Sequence, residues 1–139
     1  MERLFQQSID ELGHFYNFSE EELKILDNVD KAAEEMAEPE FENYIGHTVN
    51  LEAPKTAAKY GILGIPIKKE YGGLGSNHLI TVLAKERLGQ LGLGFSSFFN
   101  VQVFLCALSI QRWGNEVQKQ KYLKAAVNNE IVLPFRSRH

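Results

Sequence analysis

This chain of 139 residues has one cysteine, one tryptophan, two methionines and four prolines. The lone thiol, Cys106, excludes an internal disulfide. It lies in an apolar run and reads as a small buried core residue. Long hydrophobic runs are missing too. Val103 to Leu108, the longest unbroken run of the most apolar region, falls far short of a membrane span. Met1 to Phe18 lacks the continuous apolar core of a signal peptide, so a cytoplasmic protein is expected. No convincing alternating strand pattern occurs before Ile131. Basic residues are scarce at the start. Residues 1–46 carry 13 acidic against 3 basic side chains, and residues 47–139 carry 5 against 12. The acidic part reads as a solvated helical face. The basic residues are scattered over several elements, which argues against a nucleic-acid surface, although a phosphate-rich ligand would fit.

What remains is an ordinary soluble composition, 44% hydrophobic and 24% charged, at the length of one domain. A short amphipathic helix is expected at Glu2 to Leu12. Ser19-Glu20-Glu21-Glu22 reads as a capping box, flanked by Phe18 and Leu23 where a hydrophobic staple would sit. Ile25, Leu26, Val29, Ala32, Ala33 and Met36 form the buried stripe of the helix that follows. Pro39 ends or bends that helix, and Phe41 to Thr48 is ambiguous, either prolonging the helical path or leaving it. Another helix spans Ala53 to Tyr60, with Pro54 in its first turn and Gly61 as its stop.

The run Tyr60 to Ser76 packs glycines and a proline between two helical patterns, which marks a loop of fixed path. Ser76 or Asn77 caps the next helix, whose apolar face holds Leu79, Ile80, Leu83, Ala84, Leu88 and Leu91. After Gly92 and Gly94, the stretch Phe95 to Arg112 is apolar on nearly every side and is expected at the centre of its bundle. Trp113-Gly114 ends it. Asn115 caps a last helix, Glu116 to about Val127. The fold class is therefore all-α, an up-and-down bundle of five to six helices.

Several chemistries find little support. A dinucleotide fingerprint beginning at Gly73 would need glycine at position 78, where His78 stands, and no βαβ unit surrounds it. The glycines read instead as positions of positive φ and close packing. His14, His47, His78 and His139 share no metal-ligand spacing. Cys106 and Ser109 have no histidine nearby in sequence. Glu86 sits at the margin of an apolar helix face, where an ion pair to a neighbouring helix is expected. Asn100 and Gln102 interrupt the most apolar helix; they either bond to neighbouring groups or shape a pocket. The phenylalanine-rich stretch reads as core first and ligand box second.

Motif order carries more. Tyr60-Gly61-Ile62-Leu63-Gly64-Ile65-Pro66, Glu70-Tyr71-Gly72-Gly73-Leu74-Gly75, Glu86-Arg87-Leu88, Gly114-Asn115-Glu116, Gln118-Lys119 and Lys121-Tyr122-Leu123 follow one another at fixed intervals. This ordered set, from roughly Ser19 to Glu130, resembles the N-terminal domain of acyl-CoA dehydrogenases. The resemblance implies FAD as cofactor, acyl-CoA as substrate, and a homotetramer built from a helical, a β and a second helical domain. The family reaction is α,β-dehydrogenation: a glutamate in the closing domain removes the α-proton as hydride passes to the flavin. The opening domain walls the acyl-chain end of the pocket. By position relative to Gly114, that wall falls here on Asn100, Val101, Phe104 and Leu105. No catalytic base or flavin-binding residue is assigned within the chain.

Two departures matter. The family continues toward Thr-Glu-Pro and Gly-Ser-Asp, whereas residues 131–139 read Ile-Val-Leu-Pro-Phe-Arg-Ser-Arg-His. The family's common Tyr-Leu-Pro is Tyr122-Leu123-Lys124. The expected organisation is thus residues 1–130 as the family's helical domain and 131–139 as a nonfamily tail. That tail reads as either a reading-frame change or a truncation. The expected protein is a dehydrogenase-like chain that does not catalyse alone. A helical interaction module that self-associates through an exposed apolar face, or docks on a partner chain, is the rival reading, and a nonfunctional gene remnant is another.

Overall fold

The computed structural model describes residues 16–134. The helix expected at Glu2 to Leu12, His14, His139 and the end of the 131–139 segment lie outside the described residues. Five helices and no strand are present among those described: α1 (Glu20–Ile45), α2 (Ala53–Lys59), α3 (His78–Gly89), α4 (Leu93–Trp113) and α5 (Glu116–Val127).

The capping box at α1 forms. The Ser19 hydroxyl accepts from the Glu22 N–H at 3.2 Å, and the Ser19 N–H donates back to the Glu22 carboxylate at 2.9 Å. All six residues of the expected stripe are buried, and they face α3. Phe18 packs on the core, while Leu23 is left exposed. One ion pair crosses from α3 to α1: the Arg87 Nε donates to the Asp30 carboxylate at 2.7 Å, with both side chains largely out of water.

Pro39 does not end α1. The helix runs through it to Ile45, although proline removes one backbone donor. Tertiary bonds hold the far side. Glu40 is buried; its carboxylate accepts from the Phe95 N–H at 3.1 Å and from the Asn50 amide at 3.0 Å. It thereby ties the end of α1 to the start of α4 and to the α1–α2 connection.

The glycine-rich run is a stitched loop. Gly61 turns the chain at φ +74° after α2. Two short 3-10 turns follow, and the chain then folds back on itself. Leu74 N–H donates to the Gly64 carbonyl, Gly75 to Ile67 and Ser76 to Ile65, all within 2.8 Å. Gly73 has no room for a side chain, because a Cβ there would overlap the Ile67 carbonyl. Ile62, Leu63, Ile65, Ile67 and Tyr71 are buried, so the loop is part of the core. Asn77, not Ser76, caps α3 by accepting from the Ile80 N–H at 3.0 Å.

α4 departs from expectation in two ways. Its middle, Asn100 to Ala107, is wound as a π-helix. It is also not central. Phe95, Phe99, Gln102, Val103, Cys106 and Ala107 are buried, but Val101 and Leu105 reach the surface. By length and composition alone, this one described helix could cross a membrane, although its longest apolar run could not. Its inward side packs against α3 and α5.

Candidate functional site

The four residues assigned to the acyl-chain wall lie together on the π-helical segment. Asn100 and Phe104 are half-buried; Val101 and Leu105 are 37% and 38% exposed. Phe104 rests edge-on against the buried Phe99, ring centroids 6.1 Å apart. That contact fixes one end of the strip from below. Lys85 of α3 closes one side. Its ammonium donates to the Asn100 side-chain oxygen at 2.9 Å and stands 5.5 Å from the Phe104 ring centroid. The result is an apolar strip with one cation at its border. No feature of the sequence singled out Lys85 for that place.

Gln102 has no share in that surface. It is 1% exposed and points the other way. Its amide donates to the Ile131 carbonyl at 3.1 Å and accepts from the Leu133 N–H at 2.9 Å. One side chain thus imitates a neighbouring β-strand for residues 131–133. Cys106 adds a contact from its thiol to the Leu133 carbonyl at 3.4 Å. Burial pushes the Cys106 thiol up from its ordinary pKa, which keeps it protonated and a poor nucleophile at neutral pH. Gln111 repeats the arrangement one stretch on. It accepts from the Lys68 N–H at 2.8 Å and donates to the Pro66 carbonyl at 3.3 Å. Two glutamines on α4 therefore pin two extended segments.

Other candidates resolve plainly. Glu86 is exposed and makes no ion pair among the described residues; Arg87 next to it does that work instead. No group of three His, Cys, Asp or Glu among the described residues could hold a metal. Nor does the glycine loop suit a flavin diphosphate. Its N–H groups from Gly72 to Ser76 all donate to carbonyls of the loop itself. The cradle that phosphate oxygens need is already filled. The glycine loop therefore does not fit the diphosphate of the flavin implied by the resemblance.

The model of the family described as the acyl-CoA dehydrogenase N-terminal domain matches residues 19–130. The chain belongs to that family. A short-chain-specific acyl-CoA dehydrogenase of Clostridium acetobutylicum is 37% identical over 82 residues, 59% of this chain and 22% of the relative. A mitochondrial isovaleryl-CoA dehydrogenase of Solanum tuberosum is 32% identical over 124 residues, 83% of this chain and 29% of the relative. Among solved structures, butyryl-CoA dehydrogenase of Megasphaera elsdenii superposes with a TM-score of 0.76 at 26% identity, covering 84% of this chain and 32% of that one. The chain thus spans less than a third of the length of these acyl-CoA dehydrogenases. The family match, residues 19–130, falls on the all-α bundle.

Proposed function

We propose that this chain serves as the substrate-walling helical domain in acyl-CoA α,β-dehydrogenation and does not carry out that reaction alone. Val101, Leu105 and Phe104 line the acyl end of the pocket, and Asn100, held by Lys85, borders it. The observation that carries the reading is the apolar strip on α4. In the middle of α4, two branched aliphatic side chains stay more than one-third exposed beside a half-buried ring. Such a surface suits a short or branched aliphatic chain, the kind of acyl group in the names of the relatives. The α-proton must go to a general base and the hydride to a flavin. The described residues offer neither a convergent carboxylate at the strip nor a diphosphate cradle, so those parts come from other segments.

Two measurements test this. Mixing the 139-residue chain with FAD and butyryl-CoA should leave the flavin absorbance unbleached; substrate-dependent bleaching would sink the reading. In methyl-detected NMR, butyryl-CoA should move the Val101 and Leu105 signals while CoA alone should not. Equal shifts from both would remove the acyl wall.

A second reading, self-association as a homodimer or larger oligomer, is favoured by another surface. Phe41, Tyr44, Ile45, Val49, Leu51 and Leu93 are all more than half exposed around the end of α1 and the start of α4. That much apolar surface in one region favours association. Sedimentation should show weight-average mass rising with concentration. A constant monomer mass over a wide range would count against it.

A further inference from the structure

A concavity lies between the C-terminal half of α4, the Pro66–Lys68 stretch and the start of α3. It is an open groove of about 510 Å³, roomy enough for a small organic ligand. Phe104 and Leu108 are half-buried in it, and Trp113 stands 73% exposed. The charged residues lining it are Lys68 and Arg112, with His78 beside them and no carboxylate among them. The acid nearest Lys68 is Glu70, 3.5 Å from its ammonium and exposed.

The polar groups of the groove sort by whether they are already used. Both ends of the Gln111 amide are spent on the 66–68 backbone. The Asn77 oxygen caps α3, and its nitrogen donates to Glu22. What is left over is donors: the Arg112 guanidinium, most of the Lys68 ammonium, and the positive end of the α3 dipole at His78. The Ser76 hydroxyl, which borders the groove, is buried without a partner. A site with unspent donors, two exposed cations and an aromatic wall is complementary to one ligand chemistry. The ligand must bring acceptor oxygens with negative charge at one end and a flat apolar body at the other.

We propose that this groove binds a phosphate monoester carried on an aromatic body. Lys68 and Arg112 hold the phosphate, and the ring lies along Phe104, Leu108 and Trp113. Arg112 already sits 5.2 Å from the Trp113 ring centroid, so a bound anion meets the guanidinium where its approach is constrained. The groove shares Phe104 with the acyl strip, but its cations, Lys68 and Arg112, and its Trp113 wall lie outside that strip.

Trp113 is the chain's single tryptophan, so its fluorescence reports the groove directly. Phenyl phosphate titrated into the 139-residue chain should change that emission saturably. Inorganic phosphate and benzoate should bind more weakly, and benzyl alcohol should give no saturable change. Arg112→Gln and Lys68→Gln should each weaken phenyl phosphate about fivefold, with native circular dichroism, as expected for one partly exposed charge-assisted contact. Lys55→Gln, on α2 and outside the groove, should leave the affinity unchanged. Absence of a saturable change, wild-type affinity in both cation variants, or equal weakening by Lys55→Gln would overturn the proposal.

Discussion

Gln102→Leu is the sharpest test of how the exit of the helical domain is held. The substitution nearly preserves volume and removes both hydrogen bonds to residues 131–133. The domain then has two options. If the segment stays in place, the Leu133 N–H is buried without an acceptor, which costs about 1–3 kcal/mol. If the segment lifts away, the burial of Leu133, now 7% exposed, is lost at about 1.5–3 kcal/mol. Both routes lead to a loss of about 2 kcal/mol, since leucine is relieved of the amide's own burial. Urea unfolding followed by circular dichroism measures the loss. Backbone amide exchange at Leu133 tells the routes apart, rising strongly only if the segment lifts. Gln102→Glu should do worse, because a carboxylate cannot donate to the Ile131 carbonyl and brings a charge into a buried site. Unfolding within about 0.5 kcal/mol of wild type, with Leu133 still protected, would refute the clamp.

Three further outcomes are expected. Gly75→Ala, at φ +66° with only Lys69 in van der Waals contact, its flexible side chain 3.4 Å away, should cost about 1–2 kcal/mol. Gly73→Ala should cost more, about 3 kcal/mol, because the loop must give up its returning hydrogen bonds; equal losses in urea unfolding would contradict the packing argument. Arg87→Met should cost about 2 kcal/mol by leaving Asp30 half-buried and uncompensated. Adding Asp30→Leu should recover part of that loss, and a fully additive double variant would argue against the pair. The α1–α2 contact carries a pH signature. The hydrogen bond from Lys59, then that from Tyr60, holds the Glu35 carboxyl below its ordinary pKa of 4.5. The same hydrogen bond to Glu35 raises Lys59 above its ordinary 10.5. The Glu35 contribution is therefore present above 4.5 and lost as pH falls through its lowered value. The Lys59 contribution is present below 10.5 and lost as pH rises through its raised one. The stability difference between wild type and Glu35→Gln should shrink on acidification; a difference independent of pH would show the contact to be idle.

Legibility in the sequence followed the range of the interaction. The α1 capping box and stripe, the Gly61 stop and the Asn115 cap are set by side chains within a few residues of the backbone they serve, and each is found as read. The family was legible for a similar reason. Its marks are ordered punctuation residues, and Gly73 cannot be anything larger where the loop recrosses Ile67. The continuation of α1 past Pro39 was one of two alternatives that the sequence left open. It rests on Glu40 meeting the Phe95 N–H, 55 positions away. The π winding of α4 was hidden, since the composition of Asn100 to Ala107 fits an α-helix equally well. So was the choice of partner for its amides. Gln102 could have lined a pocket, and only docking against residues 131–133 turned it inward. The candidate strip shows the same division. Position relative to Gly114 put Asn100, Val101, Phe104 and Leu105 on one short segment. Which of them reach the surface, with Lys85 at their edge, depends on how α3 packs against α4. Local hydrogen bonding and steric limits act over a few residues and can be read along the chain. Burial and the pairing of distant polar groups are properties of the packed bundle, and only the tertiary structure decided them.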